Sequence, residues 1–240
     1  MIIILTILAV SFSFFAQSLL GFGGGLICIP ILSLFMPVQN AVSMVMIYQF
    51  SMGLLIIKTY KQTQWAYLFK MVPAMLCGVI IGVALLKYLE GDVMRALLAG
   101  YIILHLARKH TKFDPMGKLI KWGDAHLAGL LGGTLNAMIG GGGPAFILYL
   151  KEKIPNSSEF RASIIAMLML SNIPRAIGVV GTGMFTNEIL INGLYAFPGF
   201  LCALLLGQKL HDRISQEKFF IAVECLLGLS AFLLIFKIII

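Results

Sequence analysis

Apolar residues run in long blocks along this chain, broken by glycine, proline and short charged clusters. No Asp, Glu, Lys, Arg or His occurs before Lys58, and from Ala125 to Leu150 the only member of that set is His126. Hydropathy and breakers predict ten helical segments: 2–20, 26–36, 40–57, 66–86, 93–107, 125–138, 144–150, 159–181, 188–207 and 217–238. A helix needs about 20 mostly apolar residues to cross a hydrocarbon core of roughly 30 Å. Two segments fall short. Leu26–Met36 reaches about 16 Å as a helix, and Pro144–Leu150 about 10 Å.

Each short segment follows a glycine cluster, G-F-G-G-G at Gly21–Gly25 and G-G-G-G-P at Gly140–Pro144. A shift of 118 residues lays Gly23, Gly24 and Gly25 on Gly141, Gly142 and Gly143, Ile29 on Ile147, Leu32 on Leu150 and Pro37 on Pro155. A proline that matches 12 residues beyond two glycine runs points to an internal duplication.

Basic residues test how each repeat crosses the membrane, because Lys and Arg collect in cytoplasmic loops. If each glycine-broken unit crosses once, nine Lys/Arg lie on one side and eight on the other. If each turns back at its glycines, one face collects Lys58, Lys61, Lys70, Arg108, Lys109, Lys112, Lys118, Lys121, Lys151, Lys153, Arg161, Lys209, Arg213 and Lys218, and the other keeps Lys87, Arg95 and Lys237. Fourteen against three favours the re-entrant arrangement. It places the N-terminus outside and the basic loops in the cytoplasm, so the two halves enter from opposite faces. The expected fold is an all-α integral membrane protein of two inverted-topology halves. Each carries a glycine-tipped broken or re-entrant helical hairpin plus spanning helices. Residues 1–107 form the first repeat, 108–124 a basic cytoplasmic loop, and 125–240 the second repeat.

Composition agrees. Hydrophobic residues make up 60% and charged residues 12% of 240, with a mean hydropathy of +0.97, whereas soluble domains carry roughly 25% charged residues. The net charge of +8 reads as cytoplasmic loop bias, which argues against nucleic-acid binding. The first segment has no positive n-region, so it is expected to be a membrane segment and not a cleaved signal peptide. Cys28, Cys77, Cys202 and Cys225 lie in apolar runs without metal-like spacing and read as packing residues. No cofactor or metal site is expected.

Non-helical backbone at membrane depth must be shielded by protein or line a wet cavity. Glycine permits the tight turn and leaves backbone N–H groups uncovered. The helices after each turn begin with N–H groups that lack intrahelical partners, at the positive end of the macrodipole. Such ends bind anions without any Lys or Arg. The expected substrate site is therefore the backbone of Gly23, Gly24, Gly25, Gly141, Gly142 and Gly143, near the midplane between the two turns. The alternative is that these glycines serve close helix packing alone. They are not nucleotide loops, because no Lys-Ser/Thr pair follows them and no strand precedes them.

Paired glycine turns in a basic-looped chain of this size resemble the TauE/SafE family of membrane proteins. The first motif, G-F-G-G-G-L-I-C-I-P at Gly21–Pro30, looks like the family pattern; the second lacks the aromatic and has Leu148 where the first has Pro30. The resemblance implies a secondary transporter in the cell membrane that exports sulfite or a small organosulfur anion held between the two halves.

Further polar residues sit at depth. Arg175, in S-N-I-P-R at Ser171–Arg175, either faces a partner or a wet cavity or snorkels toward the outer face. Gln49 and Asn172 either donate to an anion oxygen or bridge helices. Asn136 precedes the second turn, as Gln17 and Ser18 precede the first, and could cap or line it. Glu224 is either a proton carrier or a partner of a loop lysine, and His105 and His126 read as interfacial. The reading is alternating-access transport of a small inorganic or organosulfur anion. An anion channel of the same fold is the alternative; an intramembrane enzyme lacks the convergent acid–base or metal set that it needs.

Overall fold

The computed structural model describes residues 2–20, 23–55, 61–110, 115–210 and 216–239. Gly21, Phe22, Lys58, Thr111, Lys112, Asp212 and Arg213 lie outside the described residues, as do the side chains of 108–110, 115–124 and 216–220. The described residues form ten helices and no strand: α1 Ile2–Leu20, α2 Gly24–Ser33, α3 Val38–Leu55, α4 Trp65–Tyr88, α5 Gly91–His110, α6 Pro115–Ile139, α7 Gly143–Lys153, α8 Ser157–Gly181, α9 Asn187–Leu210 and α10 Gln216–Ile239. Each segment expected from hydropathy holds a helix among the described residues. The largest difference is at α6, which begins at Pro115 inside the expected 108–124 loop. Hydropathy marks where a helix meets lipid, and a helix can continue into water beyond that point.

Helices α4, α8 and α9 are each long and apolar enough to cross a membrane. Their outer faces explain why the chain needs lipid. In α4 the residues Leu68, Met71, Met75, Val79, Val83 and Leu86 are buried at helical spacing, while Phe69, Ile80 and Ile81 on the other faces are exposed. Leu205 and Leu206 of α9 and Ile177 of α8 are exposed as well. A helix apolar all round suits a bilayer, and in water this surface would be an aggregation face.

Two compact units emerge. Unit 1 comprises Met1–Val45, Leu89–Phe113 and Phe185–Ile240, and unit 2 comprises Met46–Tyr88 and Asp114–Met184. In unit 1, α1 packs on α2 and α9, and α10 packs on α5 and α2. The α1–α9 seam holds a Phe14–Phe200 edge-to-face pair at 5.0 Å, and Ser18 Oγ donates to the Leu204 carbonyl at 2.9 Å. Lys237, near the end of α10, donates to the Leu34 carbonyl at 2.8 Å, so the ends of α10 and α2 meet.

In unit 2, α4 packs on α6 and α8, and α7 packs on α6 and α8. Gly78, Gly129 and Gly133 leave room for the backbones of α4 and α6 to touch, the close approach that small residues allow in membranes. The chain after α3 meets the start of α8. Gln62 accepts from Ser158 Oγ at 2.8 Å, and Gln64 donates through its side chain to Glu159 at 2.8 Å and through its backbone N–H to Ser163 Oγ at 3.0 Å. Asn156 caps α8 by accepting from the N–H groups of Ser158 and Glu159.

Candidate functional site

The second glycine turn is built by two different uses of glycine. Gly140 ends α6 at φ 64°, with its N–H on the Asn136 carbonyl at 3.0 Å and the Gly141 N–H on the Leu135 carbonyl at 3.1 Å. The Gly140 bond is the αL closure of a helix end, whose left-handed position favours glycine. Gly142 is the N-cap residue of α7 and is ordinary right-handed backbone at φ −68°. What demands glycine there is space. A methyl on Gly142 would lie against the Gly132 carbonyl oxygen, and 2.6 Å from Asn136 Cβ. Pro144 stands in the first turn of α7, where it removes no helical hydrogen bond.

At the first turn Gly23 is the N-cap residue of α2 with φ 95°, and nothing lies within 4 Å of where its methyl would be. Gly24 has no positive φ; the atoms nearest to a methyl there belong to the side chain of Gln17, first of all its Oε1. Within the two turns positive φ falls at Gly23 and Gly140, not at Gly24 or Gly142.

Both short helices start in buried surroundings. Gly24, Gly25 and Leu26 of α2 and Gly143, Pro144 and Ala145 of α7 are buried, and neither N-cap residue supplies a side-chain hydrogen bond. A buried helix start without a cap leaves N–H groups available to a ligand, and the dipole makes that ligand an anion.

Unit 2 also gathers the four polar side chains singled out in the sequence. Asn136 is 0% exposed, and its Nδ2 donates to Ser171 Oγ at 2.7 Å and Asn172 Oδ1 at 3.0 Å. Arg175 is also 0% exposed, and its Nη1 donates to Gln49 Oε1 at 2.7 Å. Arg175 therefore does not snorkel. Asn172 and Arg175 lie one turn apart on α8, which puts both hydrogen bonds on neighbouring faces. Helices α3 and α8 reach each other because Gly53 admits Met169 where a side chain would stand. Asn136 links this cluster to the second glycine turn, since it touches Gly142. The first turn, Gly23–Gly25, lies in unit 1 beside Gln17.

Sequence reasoning passed over Ser171, fully buried between Asn136 and its own helix, where its Oγ donates to the Leu168 carbonyl at 2.9 Å. Its place beside Asn172 in a helix that should be wholly apolar is the signal that could have found it. Glu224 is buried in α10 of unit 1. Among the described residues no group of His, Cys, Asp and Glu is placed to hold a metal ion.

No curated protein and no solved structure matches the chain. The family described as sulfite exporter TauE/SafE matches residues 5–234, a stretch that takes in both glycine turns and all four polar side chains of the unit 2 cluster. With nearly its whole length inside that match, this membrane chain belongs to the TauE/SafE sulfite exporter family.

Proposed function

We propose that the protein exports a small oxyanion, sulfite or an organosulfonate, across the cell membrane by alternating access. Backbone N–H groups at the glycine turns would hold the anion, aided by Arg175, Gln49, Asn136 and Asn172. The observation that carries this reading is the pair of buried, uncapped helix starts at α2 and α7. Membership of an exporter family supports the direction and the substrate class. The test is sulfite flux into proteoliposomes of purified protein. A carrier saturates with sulfite and is accelerated by sulfite on the opposite side; linear, unsaturated flux without that acceleration would make it a channel.

Two sets of contacts support the re-entrant topology. With single crossings, Leu34 and Lys237 fall on opposite faces, and so do Gln62 and Ser158; with re-entrant hairpins each pair shares a face. Both pairs are in hydrogen-bond contact, one in each unit. Cysteines placed at Lys61, Thr111, Asn156 and Asp212 should all react with an impermeant thiol reagent from the cytoplasmic side. Labelling of positions 61 and 156 from opposite sides would restore eight plain spans.

The duplication gains support from α4 and α9. At a spacing of 125 residues Pro73, Leu76, Cys77 and Gly82 fall on Pro198, Leu201, Cys202 and Gly207. A methyl on Gly82 would come within 2.7 Å of Ala137 Cβ in α6, and one on Gly207 within 2.8 Å of Ser18 Oγ in α1. The 118-residue shift carries Ala137 to Leu19, next to Ser18. Corresponding glycines thus close corresponding helix pairs, α4 on α6 and α9 on α1.

A further inference from the structure

Helix N-termini supply only donors, yet each glycine turn also presents a buried acceptor. At the first turn this is Gln17, 8% exposed, whose Oε1 is the nearest atom to the face of Gly24 and has no hydrogen-bond partner among the described residues. At the second turn it is Asn136, packed on Gly142, whose Oδ1 is buried and likewise without a partner among the described residues. Gly24 and Gly142 correspond under the 118-residue shift, so the same device occurs at both turns.

The orientation of the Asn136 amide follows from its neighbours. Ser171 uses its one proton on the Leu168 carbonyl, so its Oγ can only accept from Asn136. The nitrogen of Asn136 must therefore face Ser171 and Asn172, and both its protons are engaged there. Turning the amide over would break these bonds. Its oxygen is left as a fixed acceptor beside a turn that otherwise attracts negative charge. A buried acceptor without a donor is costly, and an oxyanion with no hydrogen of its own would be repelled by it.

We infer that each turn recognises an oxyanion that carries its own hydrogen-bond donor, with Gln17 and Asn136 as the residues that select for it. The donor is either a proton retained on the oxyanion, as in hydrogensulfite, or a hydroxyl or amine on an organosulfonate. Backbone N–H groups hold the charged oxygens, and the amide oxygen accepts the ligand's hydrogen. The inference rests on the anion-site reading above and names the substrate class of that site.

Binding to the purified full chain tests both sources. One arm compares 2-hydroxyethanesulfonate with ethanesulfonate, two monoanions that differ in one hydroxyl. The other compares sulfite below and above the second ionisation of sulfurous acid, with sulfate as the control that stays dianionic. A preference of about tenfold for the donor-bearing form is expected in at least one arm, as for one hydrogen bond to a charged ligand. The arm that shows it identifies the source. Gln17→Met and Asn136→Leu remove the acceptors at nearly constant volume and should erase that preference. Gln17→Met carries the test if Asn136→Leu fails to fold, because Gln17 holds no such network. A preference lost in one variant alone assigns the selection to that turn. Equal affinities in both arms, or a preference that survives both substitutions, overturns the inference and leaves the anion site standing. If no anion binds at all, the anion-site reading falls and takes the inference with it.

Discussion

Replacing Arg175 with glutamine should lower sulfite transport by one to two orders of magnitude without lowering the melting temperature. The two parts of this expectation have separate causes. A guanidinium at 0% exposure has lost its hydration, and hydrogen bonds such as that of its Nη1 to Gln49 offset part of that loss. Removing the cation therefore removes a source of instability from the fold, and glutamine can still hydrogen-bond Gln49. Transport behaves differently if the guanidinium meets the anion. A charge-assisted hydrogen bond contributes about 1.5–3 kcal/mol, roughly ten- to a hundredfold in affinity. Arg175→Lys should also transport poorly, because a point charge on a shorter reach does not reproduce the planar fork. The measurements are sulfite flux in proteoliposomes and thermal unfolding of the same preparations. Normal flux in Arg175→Gln would assign the residue to helix packing. A loss of flux that simply follows a fall in melting temperature would do the same.

Alanine at the glycines should produce graded damage, and the largest effect belongs to Gly142. Its methyl would sit against the Gly132 carbonyl and 2.6 Å from Asn136 Cβ, on backbone and a short side chain that cannot swing away. Overpacking of this kind costs about 1–3 kcal/mol, enough to reduce folded protein severalfold. Gly23→Ala has free space but a φ of 95°, so its cost is strain of about 1–2 kcal/mol. Gly24→Ala meets first the flexible end of Gln17, with the Gln17 Cβ at 3.1 Å, and should cost less stability than either. Melting temperatures of the three purified variants should rank Gly142 lowest, then Gly23, then Gly24. Of the three, Gly24→Ala consequently probes the first turn with the least disturbance of the fold. An unchanged melting temperature in Gly142→Ala would refute the close approach of α7 to α6.

Much of this protein can be read from one dimension. Lipid is a uniform solvent that rejects charge everywhere, so hydropathy alone locates ten helices, and glycine runs locate the two breaks. A residue that cannot face lipid must face protein, which is why Gln49, Asn136, Asn172 and Arg175 stood out as polar residues at depth. Their partners did not. Which amide meets which hydroxyl depends on helix rotation and on seams such as Gly53 against Met169, and apolar sequence on every face carries no signal of rotation. For the same reason Ser171 was passed over and the loop before α6 was drawn too long. The glycines show the limit most sharply. Gly23, Gly24, Gly140 and Gly142 are one letter in the chain. Their separate tasks, a left-handed φ at Gly23 and Gly140 and close approach at Gly24 and Gly142, exist only once the helices have packed.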